Sequence, residues 1–344
     1  IAIGYQSAYT GQATNSIAIG NQSASTAQGQ NAVSIGNQAG STTQTQYGIA
    51  IGYQSASTAQ GDSAIAIGRQ AGSNTQGYSA VAIGIYSGQY SQGRESIAIG
   101  NYSGNTGQQY DSVAIGNTTA QYGQGFSSVA IGDQTARFTQ GSIAVAIGQG
   151  SGSLYQGTRS VAIGSSSGNN SQGQYSIAIG NLAAQASQGQ ESIAIGDLAG
   201  QTNQAFGSTA GTSTIAIGTQ AAQISQGINS IAIGYQSGYG YQGSNSVAIG
   251  YSAGSGGQAA NSIILNASGV AINSGTSGFF VNPVRSTYGY SSYMIWNSGS
   301  NEIAVSTSGF PTGTNYSDYL YWNTSTSLWS LGTTEVHIGA NAAA

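Results

Sequence analysis

The sequence predicts an all-β protein: a parallel β-solenoid, or β-roll, of 16-residue coils followed by a small module rich in β-hairpins. Three observations lead to this prediction. An Ile/Val-Ala-Ile-Gly motif recurs every 16 residues, a glutamine recurs at one position between motifs, and the composition changes after about residue 262. A fixed period with such short apolar segments indicates coils that stack on one another. We therefore expect repeats over residues 1–266 and a second module over residues 267–344.

The motif sets the register of the solenoid. Its glycine stands at 4, 20, 36, 52, 68, 84, 100, 116, 132, 148, 164, 180, 196, 218, 234 and 250, and Asn266 takes the glycine place in a degenerate last copy. Ile-Ala-Ile alternates with period two, so in a strand both large side chains point one way and the alanine the other. We predict that the isoleucines face the core. The predicted repeat core includes Ile17, Ile19, Gly20, Gln28, Ile65, Ile67, Gly68, Gln76, Ile231, Ile233, Gly234 and Gln242.

Two further columns support stacked coils. The fourth residue after each motif glycine is Gly or Ala, which favours a tight turn. The eighth is Gln in all sixteen coils, as in Gln12 and Gln258. Stacked Gln side chains can hydrogen-bond along the stack, so this column predicts a structural ladder. The alternative is a row of ligand-binding amides.

The short motifs also predict association between copies. Two buried aliphatic side chains per coil stabilise less than the ordering of sixteen residues costs. We expect the alanine column, interrupted only by Ser34, to form a flat outer face that lets separate chains approach closely. A homotrimer is the preferred assembly, and a filament or a monomer are the alternatives.

The repeats resemble a known family. Asn15-Ser16-Ile17-Ala18-Ile19-Gly20 and the equivalent strings at 229–234 and 245–250 are similar to the Asn-Ser-Val-Ala-Ile-Gly head repeat of YadA-like trimeric autotransporter adhesins. The resemblance covers about residues 1–266, and such repeats also occur in viral and phage fibre proteins. It implies a homotrimer of left-handed parallel β-rolls that binds extracellular matrix or other surfaces. We therefore expect an extracellular location, on a cell or virion surface.

The carboxy-terminal module has its own duplication. Tyr293-Met294-Ile295-Trp296-Asn297 resembles Tyr319-Leu320-Tyr321-Trp322-Asn323, and each is followed by four small polar residues and a new apolar run. This pattern predicts two β-hairpins. They are interpreted as a cap on the solenoid or as an assembly module.

Charge and composition exclude several classes of function. The chain has five Arg, no Lys, nine acids, one His and no Cys, with a net charge of −4. No basic patch is available for nucleic acid, and phosphate loops that need Lys are excluded. We expect no cofactor, and no metal site at the isolated His337. No apolar run approaches the roughly 20 residues that span a membrane. Since the chain opens inside a motif, we expect a processed or truncated piece.

Catalytic patterns are weak. Glu95, Asp111 and Glu191 share one register, and Glu95 and Asp111 lie on adjacent coils beside Arg94. Paired carboxylates could cleave a glycosidic bond, but a solvated acid pair beside Arg94 is the preferred explanation. Gly238, Gly240 and Gly243 match a dinucleotide-binding spacing without the helix that it requires. We predict no catalytic residues and no enzyme.

Aromatic residues are the predicted contact surface. Rigid tyrosine rings among Ser, Gly and Asn are typical of binding surfaces, here for a host-surface protein or glycan, although stacked rings could instead stabilise neighbouring coils. An insertion over 201–214 adds a further candidate. The residues are Tyr5, Tyr53, Tyr86, Tyr102, Tyr235, Tyr251 and Phe206.

Two functions remain in competition. The first is a homotrimeric adhesin or fibre head that attaches a cell or virion to a surface. The second is a subunit of a self-assembling extracellular filament without a ligand of its own. Discrete particles of about 103 kDa (3 × 34.4) favour the trimer, and indefinite fibres favour the filament.

Overall fold

The computed structural model describes residues 1–205, 213–284, 293–306, 319–323 and 328–332. These fall into two compact units, Ile1–Pro283 and Val284–Ala344. In the first unit the chain winds into coils. Each coil contributes one strand to a large parallel sheet, and most coils contribute a second strand opposite it.

The large sheet, here called the motif sheet, contains 18 parallel strands. Each motif residue pairs with its equivalent one coil later, as Ala98 does with Ala114, so the predicted parallel stacking is confirmed. The strands are Ala2–Ile3, Ile17–Ile19, Val33–Ile35, Ile49–Ile51, Ile65–Ile67, Val81–Ile83, Ile97–Ile99, Val113–Ile115, Val129–Ile131, Val145–Ile147, Val161–Ile163, Ile177–Ile179, Ile193–Ile195, Ile215–Ile217, Ile231–Ile233, Val247–Gly250, Ser262–Asn266 and Gly278–Asn282.

The opposite strands carry the glutamine column and are called the glutamine strands. They form parallel sheets of four, eight and two strands, with single bridges such as Gln76 to Gln92 between them. The strands are Ala27–Gln28, Thr43–Gln44, Ala59–Gln60, Thr75–Gln76, Thr106–Gln108, Tyr122–Gln124, Phe138–Gln140, Leu154–Gln156, Asn170–Gln172, Ala186–Gln188, Thr202–Gln204, Ile224–Gln226, Ala253–Gln258 and Ile272–Ser274.

The core of the coils is made of small residues, and the prediction that the isoleucines face inward is wrong. The motif alanines, such as Ala98 and Ala114, are fully buried, whereas the flanking Ile and Val side chains point outward and are mostly half-buried. The predicted core residues placed outward are Ile17, Ile19, Ile65, Ile67, Ile231 and Ile233. The flat outer alanine face predicted for contacts between chains is therefore wrong as well.

The reason is the narrow space between the two walls of a coil. A Cβ added to Gly104, in the turn after the motif, would lie 3.2 Å from the Cβ of Ala98. Ser103, next to that glycine, donates its hydroxyl proton to the carbonyl oxygen of Ala114 at 2.7 Å. At the motif alanine position of these regular coils only a methyl group fits between such close walls, so the Ile and Val side chains are placed outside. The small turn residues do adopt the left-handed backbone expected of them, with φ of 50° at Ala8 and 55° at Gly40.

Parallel stacking continues beyond the predicted boundary at residue 266. Asn266 pairs with Gly250 as the register predicts, and the strand 278–282 pairs with the strand 262–266. Residue 266 therefore lies inside the first unit, which ends at Pro283. Ile264 takes the place of the motif alanine and is fully buried against Ile272 and Phe280.

The second unit contains the two predicted hairpins. Tyr293–Asn297 pairs antiparallel with Glu302–Ser306, and Tyr319–Asn323 with Leu328–Gly332. A role of this module as a cap or an assembly element stays a prediction, as does the left-handed winding that the resemblance implies. Among the described residues, no helix has the length and apolar character needed to cross a membrane.

Candidate functional site

The glutamine column ties the two walls of each coil together. Gln124 is fully buried, and its Nε2 donates to the carbonyl oxygen of Val113 in the same coil at 2.8 Å. All sixteen glutamines make the equivalent bond to the residue eleven positions earlier. This cross-core bond satisfies a buried amide.

The predicted ladder between glutamines is also present, but not at every rung. Gln124 accepts from Gln108 Nε2 and donates to Gln140 Oε1, both at 3.1 Å. Bonds of this kind join nine of the fifteen successive pairs. The column therefore lines the core, which supports its structural interpretation over the ligand-binding row. Gln28, Gln76 and Gln242 are buried members of it.

Outward-facing aliphatic residues form a continuous surface on the motif sheet. We define the aliphatic face as the Ile and Val residues three and one positions before each motif glycine, from Ile17 to Ile249. The second column is Ile at every rung, and Ile35, Ile131 and Ile147 remain 36%, 37% and 36% exposed. The face contains no charged or polar side chain. Both columns are visible in the sequence, but they were predicted on the wrong side of the sheet.

Four of the predicted contact tyrosines are stacked in pairs. Tyr86 and Tyr102 have ring centroids 4.8 Å apart, and Tyr235 and Tyr251 have centroids 5.4 Å apart. In each pair one face of each ring is covered by its neighbour, which supports the role in stabilising adjacent coils.

The other predicted aromatic residues stand apart from these pairs. Tyr5 is 69% exposed and Tyr53 is 49% exposed. Phe206 lies outside the described residues. A contact function of the predicted set stays a prediction.

Two mixed aromatic columns were missed by the sequence analysis. Arg94 lies over the ring of Tyr110 at 5.4 Å, and that ring stacks on Phe126 at 5.3 Å. Tyr122 stacks on Phe138 at 5.4 Å in a second column. Members of each column are 16 residues apart, so a search at that period for all aromatic and Arg residues would have found them.

The structure does not bring Glu95 and Asp111 together with Arg94 in a catalytic arrangement. Arg94, which was expected beside Glu95 and Asp111, is held over a tyrosine ring, and its carbonyl oxygen accepts the backbone N–H of Asp111 at 3.1 Å. The part of the chain that the structure describes contains no group of three His, Asp or Glu side chains that could hold a metal ion.

One exposed residue has an unfavourable backbone conformation. Ile143 has a φ of 57° and is 44% exposed, at a position where Asn15 and Asn31 adopt the same left-handed conformation. A β-branched side chain is disfavoured there, whereas Asn tolerates it. We expect Ile143→Asn to raise the free energy of unfolding by about 1 kcal/mol. Urea unfolding followed by circular dichroism measures this.

Ile85→Asn is the control for this prediction. Ile85 is 48% exposed and does not have a positive φ, so its replacement is expected to change stability by less than about 0.5 kcal/mol. Equal effects of the two substitutions would show that exposure, and not the backbone, determines the change.

Comparison with known proteins agrees with this geometry. A model described as the YadA head domain repeat matches residues 12–39, 27–55, 46–71, 59–87, 144–167, 156–183, 171–199 and 225–237. No curated protein and no solved structure gave a significant match. Heads built from such repeats are trimeric, surface-exposed parts of autotransporter adhesins and are typically non-enzymatic. YadA head domain repeats thus occur across much of the chain, within residues 12–87, 144–199 and 225–237.

Proposed function

We propose that this chain is the head of an extracellular homotrimeric adhesin or fibre, and that three copies associate through the aliphatic face. The observation that carries the proposal is the exposure of two unbroken Ile/Val columns on one side of the motif sheet. Monomeric soluble proteins rarely expose a contiguous apolar surface of this extent. Packing three such faces together removes them from water and leaves the other sides of the coils free.

The exposed side chains of the coils outside the aliphatic face support attachment to a surface. They include exposed tyrosines, such as Tyr5 and Tyr53, among uncharged polar residues. With only five Arg and nine acids in the chain, long-range electrostatic attraction to a target is weak. Binding to a host protein or glycan would then depend on ring contacts and hydrogen bonds.

The trimer is tested by placing charges on the aliphatic face. The triple substitution of Ile115, Ile131 and Ile147 with Glu puts nine carboxylates at the centre of the assembly, where unpaired buried charge is strongly unfavourable. We expect light scattering after gel filtration to give about 103 kDa (3 × 34.4) for the unchanged chain. The trimeric fraction of the variant at micromolar concentration is expected to fall at least tenfold.

The matched control changes Ile85, Ile143 and Ile224 to Glu, because these residues are exposed outside the aliphatic face. It should remain trimeric. A variant of the face that stays trimeric would contradict the proposed interface. An unchanged chain that forms indefinite fibres would favour the filament, and one that runs at 34.4 kDa would contradict both assemblies.

Attachment is tested separately with the assembled trimer. Fluorescently labelled trimers should be retained on cultured cells or extracellular matrix and released by an excess of unlabelled protein. Retention equal to that of an unrelated protein of similar size and charge would contradict the adhesive role.

A further inference from the structure

A cleft of about 560 Å³ lies beside the glutamine strands in the last coils before residue 266. It forms where Gly240 replaces the usual side chain and the coil of Tyr241 contributes only isolated bridges at Gln242. Four successive coils provide its walls. The lining residues are Asn203, Ser225, Gly227, Tyr241, Gln242, Gly243, Ser244 and Gln258.

We infer that this cleft binds a neutral hexopyranose unit of a glycan, with the ring of Tyr241 as its stacking platform. The inference rests on the proposed function as a surface adhesin and names the class of ligand.

The ring of Tyr241 differs from those in the aromatic columns. It is 70% exposed, and the residues at its position in the adjacent coils are Ser225 and Gly257. A Cβ added to Gly257 would meet no atom within 4 Å. Among the described residues Tyr241 has no stacked aromatic partner, in contrast to Tyr235 and Tyr251. Both of its ring faces are therefore available to the apolar C–H face of a sugar.

The polar groups around the ring suit hydroxyl groups. Asn203, Ser225 and Ser244 line the cleft with an amide and two hydroxyls, which both donate and accept hydrogen bonds. Within the described part of the chain, these side chains make no hydrogen bond to other protein groups. No lining residue is charged, which favours a neutral sugar over an acidic one.

An extended peptide is a poorer fit to the same cleft. Peptides that add to a sheet need unpaired backbone groups at its edge. Here Gly240 N–H donates to Ser255 O at 3.1 Å, and Gly243 N–H donates to Gln258 O at 2.8 Å. The wall therefore offers side chains and a ring face, which is how sugars are recognised, and few free backbone groups.

The test uses the full chain as assembled and a panel of immobilised neutral oligosaccharides with gluco, galacto and manno configurations. We expect the unchanged chain to bind at least one of them. Tyr241→Ala should weaken that binding at least tenfold, because the platform is removed. Tyr241→Phe should keep most of it, because the ring remains.

Tyr155→Ala is the matched control. Tyr155 occupies the same position in an earlier coil and is 63% exposed, but it does not line the cleft. The control should bind like the unchanged chain. Gel filtration and thermal melting of each variant show whether a loss of binding is local.

Several results would overturn the inference. They are the absence of binding to every neutral oligosaccharide, equal losses for Tyr241→Ala and Tyr155→Ala, and binding only to acidic glycans or deglycosylated protein. If the trimer still attaches to cells stripped of glycans, the inference fails while the proposed function holds. If no trimer forms, the proposed function itself fails.

Discussion

Replacing the motif glycine Gly148 with Ala is expected to lower the free energy of unfolding by about 3 kcal/mol or more. Its φ is 119°, a conformation that L-residues rarely adopt. A Cβ there would lie 2.5 Å from the carbonyl oxygen of Gly164 in the next coil. Relief requires a shift of the backbone, which would disturb the 2.8 Å bond from Gly164 N–H to Ile147 O.

Gly150→Ala provides the control two residues away. Gly150 also has a positive φ, of 63°, but an added Cβ would meet only side-chain atoms at 3.4 Å and beyond. Other coils place Gln134 or Leu182 at this position with similar φ values. We expect a change within about 1 kcal/mol. Thermal and urea unfolding followed by far-ultraviolet circular dichroism compare the variants, and similar melting curves would disprove the argument from steric conflict.

The motif glycines also explain why the register could be predicted from the sequence. A position that only glycine can occupy must recur once per coil, so its spacing gives the length of the coil and the partner of each strand. The pairing of Gly250 with Asn266 follows the same period although the residue type has changed. The two hairpins were predictable because Tyr293–Asn297 and Tyr319–Asn323 each precede a turn and a second apolar run.

The orientation of the motif strands could not be obtained from alternation alone. The alternation of large and small residues shows that Ile97 and Ile99 lie on one side of the strand and Ala98 on the other. It does not show which of the two sides faces the core. The deciding evidence is the size of the residues opposite, at Ser103 and Gly104, which leave room for a methyl group only. A column that is Ala in nearly every coil, with Ser34 as a small replacement, is the sequence signal of that steric limit.

The cleft near Tyr241 was beyond sequence analysis for a different reason. It depends on a local irregularity, in which Gly240 and the bulged strand Ala253–Gln258 interrupt the regular glutamine strands. The motif period describes what coils have in common. Features that arise from differences between neighbouring coils require their three-dimensional arrangement.

Replacing Gln124 with Leu is expected to lower the free energy of unfolding by about 2–4 kcal/mol. Leu fills a similar volume but removes the cross-core bond to Val113 O and both ladder bonds. The loss of buried hydrogen bonds outweighs the greater apolar character of Leu, because Val113 O loses its cross-core donor inside the coil. Gln134→Leu, at an exposed site, should change stability by less than about 0.5 kcal/mol.

Gln188→Leu then separates the ladder from the cross-core bond. Gln188 donates to Ile177 O at 2.8 Å, as Gln124 does to Val113 O, but its Oε1 has no partner among the described residues. Because the cross-core bond occurs in all sixteen coils and the ladder bond at only nine of fifteen steps, we expect the two variants to lose similar stability. A much larger loss for Gln124→Leu in urea unfolding would show that stacking between coils, and not the tie across each coil, requires glutamine at this position.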